Sequence, residues 1–247
     1  MIYGFFAQYY DELFDEKLYS KWAQYVQENT LMGGQLLDLA GGAGRLGVLL
    51  AQAGYQVTDA DLSDEMLALA SSHALEADVK LQLVQANMLD LTALGSFDTI
   101  TCFADSLCYL RDLTEVQQVF QQVHQHLADG GTFLFDMITP YQTDVVYPGF
   151  MYNYQSEDQH RYFMWSSYQN DDVEHGVIHE LSFFNRLSNG NYQRLAETHF
   201  ERSYPLQLVV KALQQTGFKR IEVSSDFGHG KLNAQTTRWF FKCQKGE

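Results

Sequence analysis

A chain of 247 residues that is 46% hydrophobic can bury one sizeable core, and its formal net charge of −15, with no run of Lys or Arg, excludes nucleic acid as an expected partner. Its three cysteines, Cys102, Cys108 and Cys243, form no Cys-x-x-Cys pair and fit a reduced, cytoplasmic protein. The opening residues lack the basic segment and unbroken apolar run of a secretory signal, and no stretch approaches the length of a membrane span.

Tyr3, Phe6, Tyr10, Phe14, Tyr19, Trp22 and Tyr25 recur mostly at steps of three and four. This spacing predicts one or two amphipathic helices with an aromatic face, serving either as core or as a cover over a ligand. Residues 36–47, LLDLAGGAGRLG, read as a buried strand, a glycine-rich turn and a helix from Ala43 to about Ala53, stopped by Gly54. Gly41, Gly42 and Gly44 let the backbone approach a ligand closely. Residues 42–47 also spell Gly-x-Gly-x-x-Gly, the dinucleotide fingerprint. Asp38, at the strand's end, opposes a pyrophosphate and favours a ligand with a cationic end.

A second strand, Tyr55 to Ala60, ends at Asp61, where a carboxylate can accept from ribose hydroxyls; this serves NAD and S-adenosylmethionine alike. Asp59 is read as facing the other way. Ser63, with Asp64 and Glu65, caps the next helix. A third strand, Leu81 to Gln85, leads into Ala86-Asn87-Met88, and a fourth, residues 97–103, opens onto Ala104 and Asp105. Open α/β sheets place their chemistry at such strand ends, which makes Asp105 a candidate for substrate contact, with a loop or capping acid as the other reading. Thr114 is expected to start a helix through a capping box, with Val116, Val119, Phe120, Val123 and Leu127 on its apolar face. His124 and His126, two apart on it, point away from each other and are read as surface or satisfied side chains.

Asp129-Gly130-Gly131 is expected to turn the chain into a fifth strand, residues 132–137. From about Phe150 to Arg202 the pattern switches to period two, with turn signals at 170–172 and 189–190, and predicts an inserted antiparallel sheet. His175 and His179 have a helical metal-ligand spacing, but the run between them is strand-like, so no metal is expected. A helix, Leu206 to Thr216, closed by Gly217, and strands Phe218 to Ser224 and Arg238 to Cys243 finish the chain. The fold class is therefore α/β, a Rossmann-like seven-stranded doubly wound sheet plus an antiparallel β-sheet inserted after strand five. Residues 1–247 are expected to form a single domain, with 1–30 a helical cap and 146–202 the inserted sheet.

Asp38-Leu39-Ala40-Gly41-Gly42-Ala43-Gly44 resembles motif I of the class I S-adenosylmethionine-dependent methyltransferases, acidic-x-Gly-x-Gly-x-Gly. Ala40 replaces the first glycine, which requires φ < 0 there. Asp105-Ser106-Leu107-Cys108-Tyr109-Leu110 resembles the Asp-Ser-Leu-Asn-Tyr-Leu segment of a group of bacterial methyltransferases, with Cys108 replacing the asparagine. The inserted sheet is similar to that of glycine N-methyltransferase and the aminosugar N,N-dimethyltransferases, where it covers the substrate. The resemblance implies a sheet whose last strand is antiparallel and S-adenosyl-L-methionine as cofactor. It assigns to that cofactor Tyr10, Asp38, Ala40, Gly41, Gly42, Gly44, Asp61, Leu62, Asn87, Met88 and Phe103, with adenine at Asn87 and Met88. Asp105 becomes the catalytic candidate, and Tyr10, Tyr19, Arg186 and His199 are further proton acceptors suggested by their chemistry. The implied substrate is a small molecule, an amine before a hydroxyl or carboxylate. Two other readings stay open: an NAD-type Rossmann oxidoreductase, and a non-catalytic S-adenosylmethionine-binding partner protein. The oligomeric state is open, a dimer being possible.

Overall fold

Short apolar runs alternating with amphipathic helices build the parallel part of the sheet in the computed structural model, which describes residues 16–246. Helix α1 (Glu16–Asn29) precedes β1 (Gln35–Leu39), α2 (Arg45–Gln52), β2 (Gln56–Asp61), α3 (Asp64–Glu76), β3 (Gln82–Gln85), β4 (Phe97–Cys102), α4 (Leu113–His126) and β5 (Leu127–Ile138). Strands β1, β2 and β4 are buried over nearly their whole length. That is why they read as nearly continuous apolar runs rather than alternating ones. The inserted sheet, β6 (Met151–Gln155), β7 (Arg161–Asn170), β8 (Gly176–Arg186) and β9 (Tyr192–Arg202), comes next, followed by α5 (Leu206–Thr216), β10 (Phe218–Ser224) and β11 (Arg238–Lys245).

Among the described residues the main sheet has seven strands in the order β10-β11-β5-β4-β1-β2-β3, and the inserted sheet four in the order β6-β7-β8-β9. Strands β1 to β5 run parallel, whereas β11 is antiparallel to both β5 and β10. This reversal pairs Arg238, the first residue of β11, with Ile138, the last of β5. A guanidinium is thereby delivered to the edge where the parallel strands end.

Side chains alternate between the two faces of the sheet. Leu37, Ile100, Phe133, Phe135 and Phe241 pack under α4 and α5, while Leu36, Leu134 and Phe240 pack under α1 and α2 with Trp22, Val26 and Leu50. Phe135 and Phe241 stack at 4.4 Å with an interplanar angle of 3°. On the inserted sheet Phe163, Leu181 and Phe183 form a small core of their own.

Three local expectations are corrected. Helix α2 starts at Arg45 rather than Ala43, because Gly44 (φ 70) is still left-handed. Helix α4 is capped by Asp112, not Thr114: Asp112 Oδ1 accepts from the N–H groups of Thr114 and Glu115, and Glu115 accepts from the Arg111 N–H. A carboxylate at a helix N-terminus gains from the dipole as well as from the hydrogen bonds, so it displaces the hydroxyl. Strand β5 begins at Leu127, directly after α4, with an irregularity before regular pairing resumes at Thr132.

Candidate active site

The turn after β1 is held to β2 by the N–H groups of Ala40 and Gly41, which donate to the Ala60 carbonyl at 2.7 and 3.3 Å. Ala40 adopts φ 57, against the expectation of a negative φ. The hydrogen bond to Ala60 requires this twist, and a Cβ in the left-handed region costs about 1–2 kcal/mol. Ala40→Gly is therefore expected to raise stability by roughly 0.5–1 kcal/mol in urea denaturation, the relief exceeding the entropy added to the unfolded chain. A loss of stability would show that the alanine methyl packs favourably.

Gly41 is required for a different reason: a Cβ there would lie 2.5 Å from Asp59 Oδ1. Asp59 thus sits beneath the turn, and the expectation that it faces away is wrong. Residues 59 and 61 are two apart in a strand and share a face. Asp59 is also the register partner of Asp38. Its side chain is fully buried and neither oxygen has a hydrogen-bond partner. Burial, reinforced by Asp38 and Asp61, pushes its pKa up to about 9. Asp38 is buried too. Its Oδ1 accepts from the Thr101 hydroxyl at 2.7 Å and its Oδ2 has no partner. Burial raises its pKa to about 7, with Asp61 adding to the rise and the Thr101 bond opposing it.

Asp61 closes the turn from the side, Oδ2 accepting from Gly42 N–H and Oδ1 from Ser63 N–H, both at 2.9 Å. Leu62 beside it is 66% exposed. At the end of β3, Asn87 is exposed and its Oδ1 accepts from Leu89 N–H, while Met88 packs against the core. Parallel neighbours end on one edge, so Asp38, Asp61 and Asn87 fall in line there. Phe103 is buried, stacked on Trp22 at 6.0 Å, and forms wall rather than open surface. Tyr10 lies outside the described residues. A ligand with a cationic end fits the three acidic side chains around the glycine turn, since Asp38 and Asp59 have unpartnered oxygens and a nearby cation would favour their ionised forms, whereas a pyrophosphate would favour their protonated ones.

Beside this edge, under the inserted sheet, is a cavity of about 380 Å³. Ala104 and Asp105 reach its wall from the end of β4, both left-handed (φ 55 and 53). Asp105 is locked in place: Arg238 Nη1 donates to Asp105 Oδ1 at 2.8 Å and to Asp136 Oδ1 at 2.9 Å, while Asp105 N–H donates to Asp136 Oδ1. Trp22 Nε1–H completes the network on Asp136 Oδ2 at 3.0 Å. Burial raises the Asp136 pKa although Arg238 opposes it. Burial also works against the Arg238 charge, but Asp105 and Asp136 outweigh it and hold the guanidinium firmly protonated. Tyr109, Tyr147, Phe150, Tyr152, Phe163 and Trp165 supply aromatic walls, and His179, His199 and Glu201 polar ones. Of the looser candidates, His199 is brought to the cavity, Tyr19 packs beside Trp22 behind it, and Arg186 is exposed at the far end of β8.

Residues 36–131 match the family model described as a methyltransferase domain. The methyltransferase-family protein YqeM of Bacillus subtilis (strain 168) is 35% identical over 249 residues, spanning 100% of this chain and 98% of its own. An S-adenosylmethionine-dependent methyltransferase of Clostridium acetobutylicum ATCC 824 superposes with a TM-score of 0.85 at 28% identity, covering 99% of each chain. The chain belongs to the S-adenosylmethionine-dependent methyltransferases. The sugar N-methyltransferase KedS8 of Streptoalloteichus shares the fold of this methyltransferase, with a TM-score of 0.80 at 20% identity over 100% of this chain and 94% of its own. The dinucleotide oxidoreductase alternative falls away, and with it the non-catalytic one. Among the methyltransferase's described residues no helix is long and apolar enough to cross a membrane.

Sequence reasoning missed Arg238, Asp136, Glu201 and the aromatic walls. The available signal was faint: Asp136 is the single charge in TFLFDM, and Arg238 heads the apolar run WFF. For the cofactor side, Asp61→Ala is expected to weaken S-adenosylmethionine binding by roughly 1–3 kcal/mol in isothermal titration, through the ribose bonds and the slackened turn. An unchanged affinity would remove Asp61 from the cofactor site.

Proposed function

We propose that this methyltransferase methylates the nitrogen of a small amine held in the cavity beneath the inserted sheet. The observation that carries this reading is the cavity's composition: an aromatic box with Asp105 and Glu201 on its wall and one cation, Arg238, already shared by Asp105 and Asp136. Aromatic faces and surplus carboxylate attract an ammonium group and disfavour an anionic acceptor. The sugar N-methyltransferase named on KedS8, which shares the fold, is in keeping with an amine.

S-adenosylmethionine supplies a methyl group on a sulfonium: as the amine lone pair forms the C–N bond, the C–S bond breaks and its electron pair stays on sulfur. The protein's part is to seat a neutral amine in line and to take the proton released. We assign that proton to Asp105, held rigidly by Arg238 at the end of β4. The sheet over residues 146–202 acts as the lid that keeps water out. Labelled S-adenosylmethionine offered with small amines and with matched alcohols and carboxylic acids tests the reading; label on oxygen alone would overturn it. Asp105→Asn is expected to lower kcat by roughly 100-fold, with cofactor affinity retained. An unaltered kcat would assign the proton to another group.

A further inference from the structure

His179 on β8 pairs in register with His199 on β9, and Glu201 lies two residues further along β9 on the same face. Both His179 and Glu201 are buried, at 2% and 7% exposure, and both line the cavity. The histidine is fixed on one side. Trp165 Nε1–H donates to His179 Nδ1 at 3.1 Å, the Ser167 hydroxyl meets the same nitrogen at 2.7 Å, and Tyr147 packs edge-on at 4.7 Å. An indole nitrogen can only donate, so Nδ1 carries no hydrogen and the ring is the Nε2–H tautomer. A donor is thereby set on the other side of the ring.

That donor has no partner. Glu201 Oε2 stands 3.7 Å from His179 Nε2, beyond hydrogen-bond reach, and both atoms are buried without a hydrogen bond. A buried donor and a buried acceptor so close, on two residues that line one cavity, call for a single group that accepts from one and donates to the other. An ammonium cannot accept, an ether or ketone cannot donate, a carboxylate would face Glu201, the neutral amine is assigned to Asp105, and a bridging water would leave the two amines of the test below equally bound. A hydroxyl does both.

We infer that His179 and Glu201 bind a hydroxyl of the methyl acceptor, whose oxygen accepts from His179 Nε2–H and whose hydrogen bonds to Glu201 Oε2. The substrate class is then an amine that also carries a hydroxyl. The inference rests on the reading that this cavity seats the acceptor. It divides the labour within it: Asp105 attends to the reacting nitrogen, and the inserted sheet reads a neighbouring hydroxyl. Neither histidine nor glutamate takes part in bond making here, so both are specificity residues.

The test uses trans-2-aminocyclohexanol and cyclohexylamine, matched except for one hydroxyl, titrated into the cofactor-loaded full chain and followed by the fluorescence of Trp22 and Trp165, which line the cavity. The hydroxylated amine is expected to bind at least roughly 10-fold more tightly. His179→Asn retains an oxygen near the Nδ1 position for Trp165 and Ser167 but removes Nε2–H, and should abolish that preference, so that the variant binds the two amines alike. His179→Gln, which reaches further, should recover part of it. Glu201→Gln, nearly isosteric, tests the other partner should His179→Asn not fold, with S-adenosylmethionine affinity and thermal midpoint as checks on integrity. Equal binding of the two amines, binding of neither, or a preference that survives both His179→Asn and Glu201→Gln overturns the inference. The reaction class is separable: a hydroxyl preference without N-methyl product would sink N-methylation and leave the pair's role standing, and N-methyl product without the preference would do the reverse.

Discussion

Replacing Arg238 by Met is expected to destabilise the protein by about 3 kcal/mol in urea denaturation at pH 7, toward the low end of the range for breaking a buried ion pair. Methionine keeps most of the aliphatic stem, so the loss isolates the charge. Without the guanidinium, Asp136, which is fully buried, and Asp105 are left facing each other with only N–H donors between them. Because Arg238 is itself 28% exposed, water recovers part of the cost. The deficit should narrow as the pH is lowered toward 5, since burial already raises the Asp136 pKa and removing Arg238 raises it further, letting a proton replace the lost cation. Arg238→Lys should restore part of the stability. A loss below about 1 kcal/mol with no pH dependence would show that the network is solvated and worth no more than a surface pair.

Asp59→Asn is expected to act in the opposite sense. Asp59 and Asp38 have folded pKa values raised to about 9 and about 7 from the ordinary carboxyl value of 3.8. The folded protein therefore holds protons that the unfolded chain releases. Their contribution to stability is full below pH 3.8 and is lost as the pH climbs through 7 toward 9. Each retained proton tilts the stability curve downward by as much as about 1.4 kcal/mol per pH unit. Asparagine fills the same space beneath Gly41 and cannot ionise. The variant should therefore be more stable than the wild type by about 2–4 kcal/mol at pH 8, converge with it near pH 4, and show a flatter thermal midpoint against pH. Parallel curves for the two proteins would mean that water reaches Asp59.

The glycine turn and its flanking acids were legible because their features are local. Asp38, the three glycines of the turn, and Asp61 lie within one strand-turn-helix-strand unit, and backbone geometry alone ties them together. Even there the reading failed at Ala40 and Asp59. A motif says which residue occupies a position but not which carbonyl its N–H must reach, and Ala60 dictates the φ of Ala40. The acceptor half was largely illegible. Trp22, Asp105, Asp136 and Arg238 come from four separated segments, and only the sheet order places them within hydrogen-bond distance. His179 was weighed only as a metal ligand and set aside for the strand-like run around it, which gave no sign that the strand brings His179 to the cavity wall while His175 pairs with Asp144 at 2.7 Å. The inserted sheet itself was plain from its period-two pattern, since β7, β8 and most of β9 alternate between a more buried and a more exposed face, whereas β6 is exposed throughout.

The antiparallel insertion of β11 between β5 and β10 joins parts of the molecule that are far apart in the chain. The glycine turn and its flanking acids lie within the first ninety or so residues, whereas Arg238 comes about 150 residues after Asn87, on the strand seated between β5 and β10. Asp105 and Asp136 thus have their shared cation only where residues 238–245 pair with β5. A molecule without that pairing would keep its glycine turn but leave two uncompensated acids on the wall of the cavity.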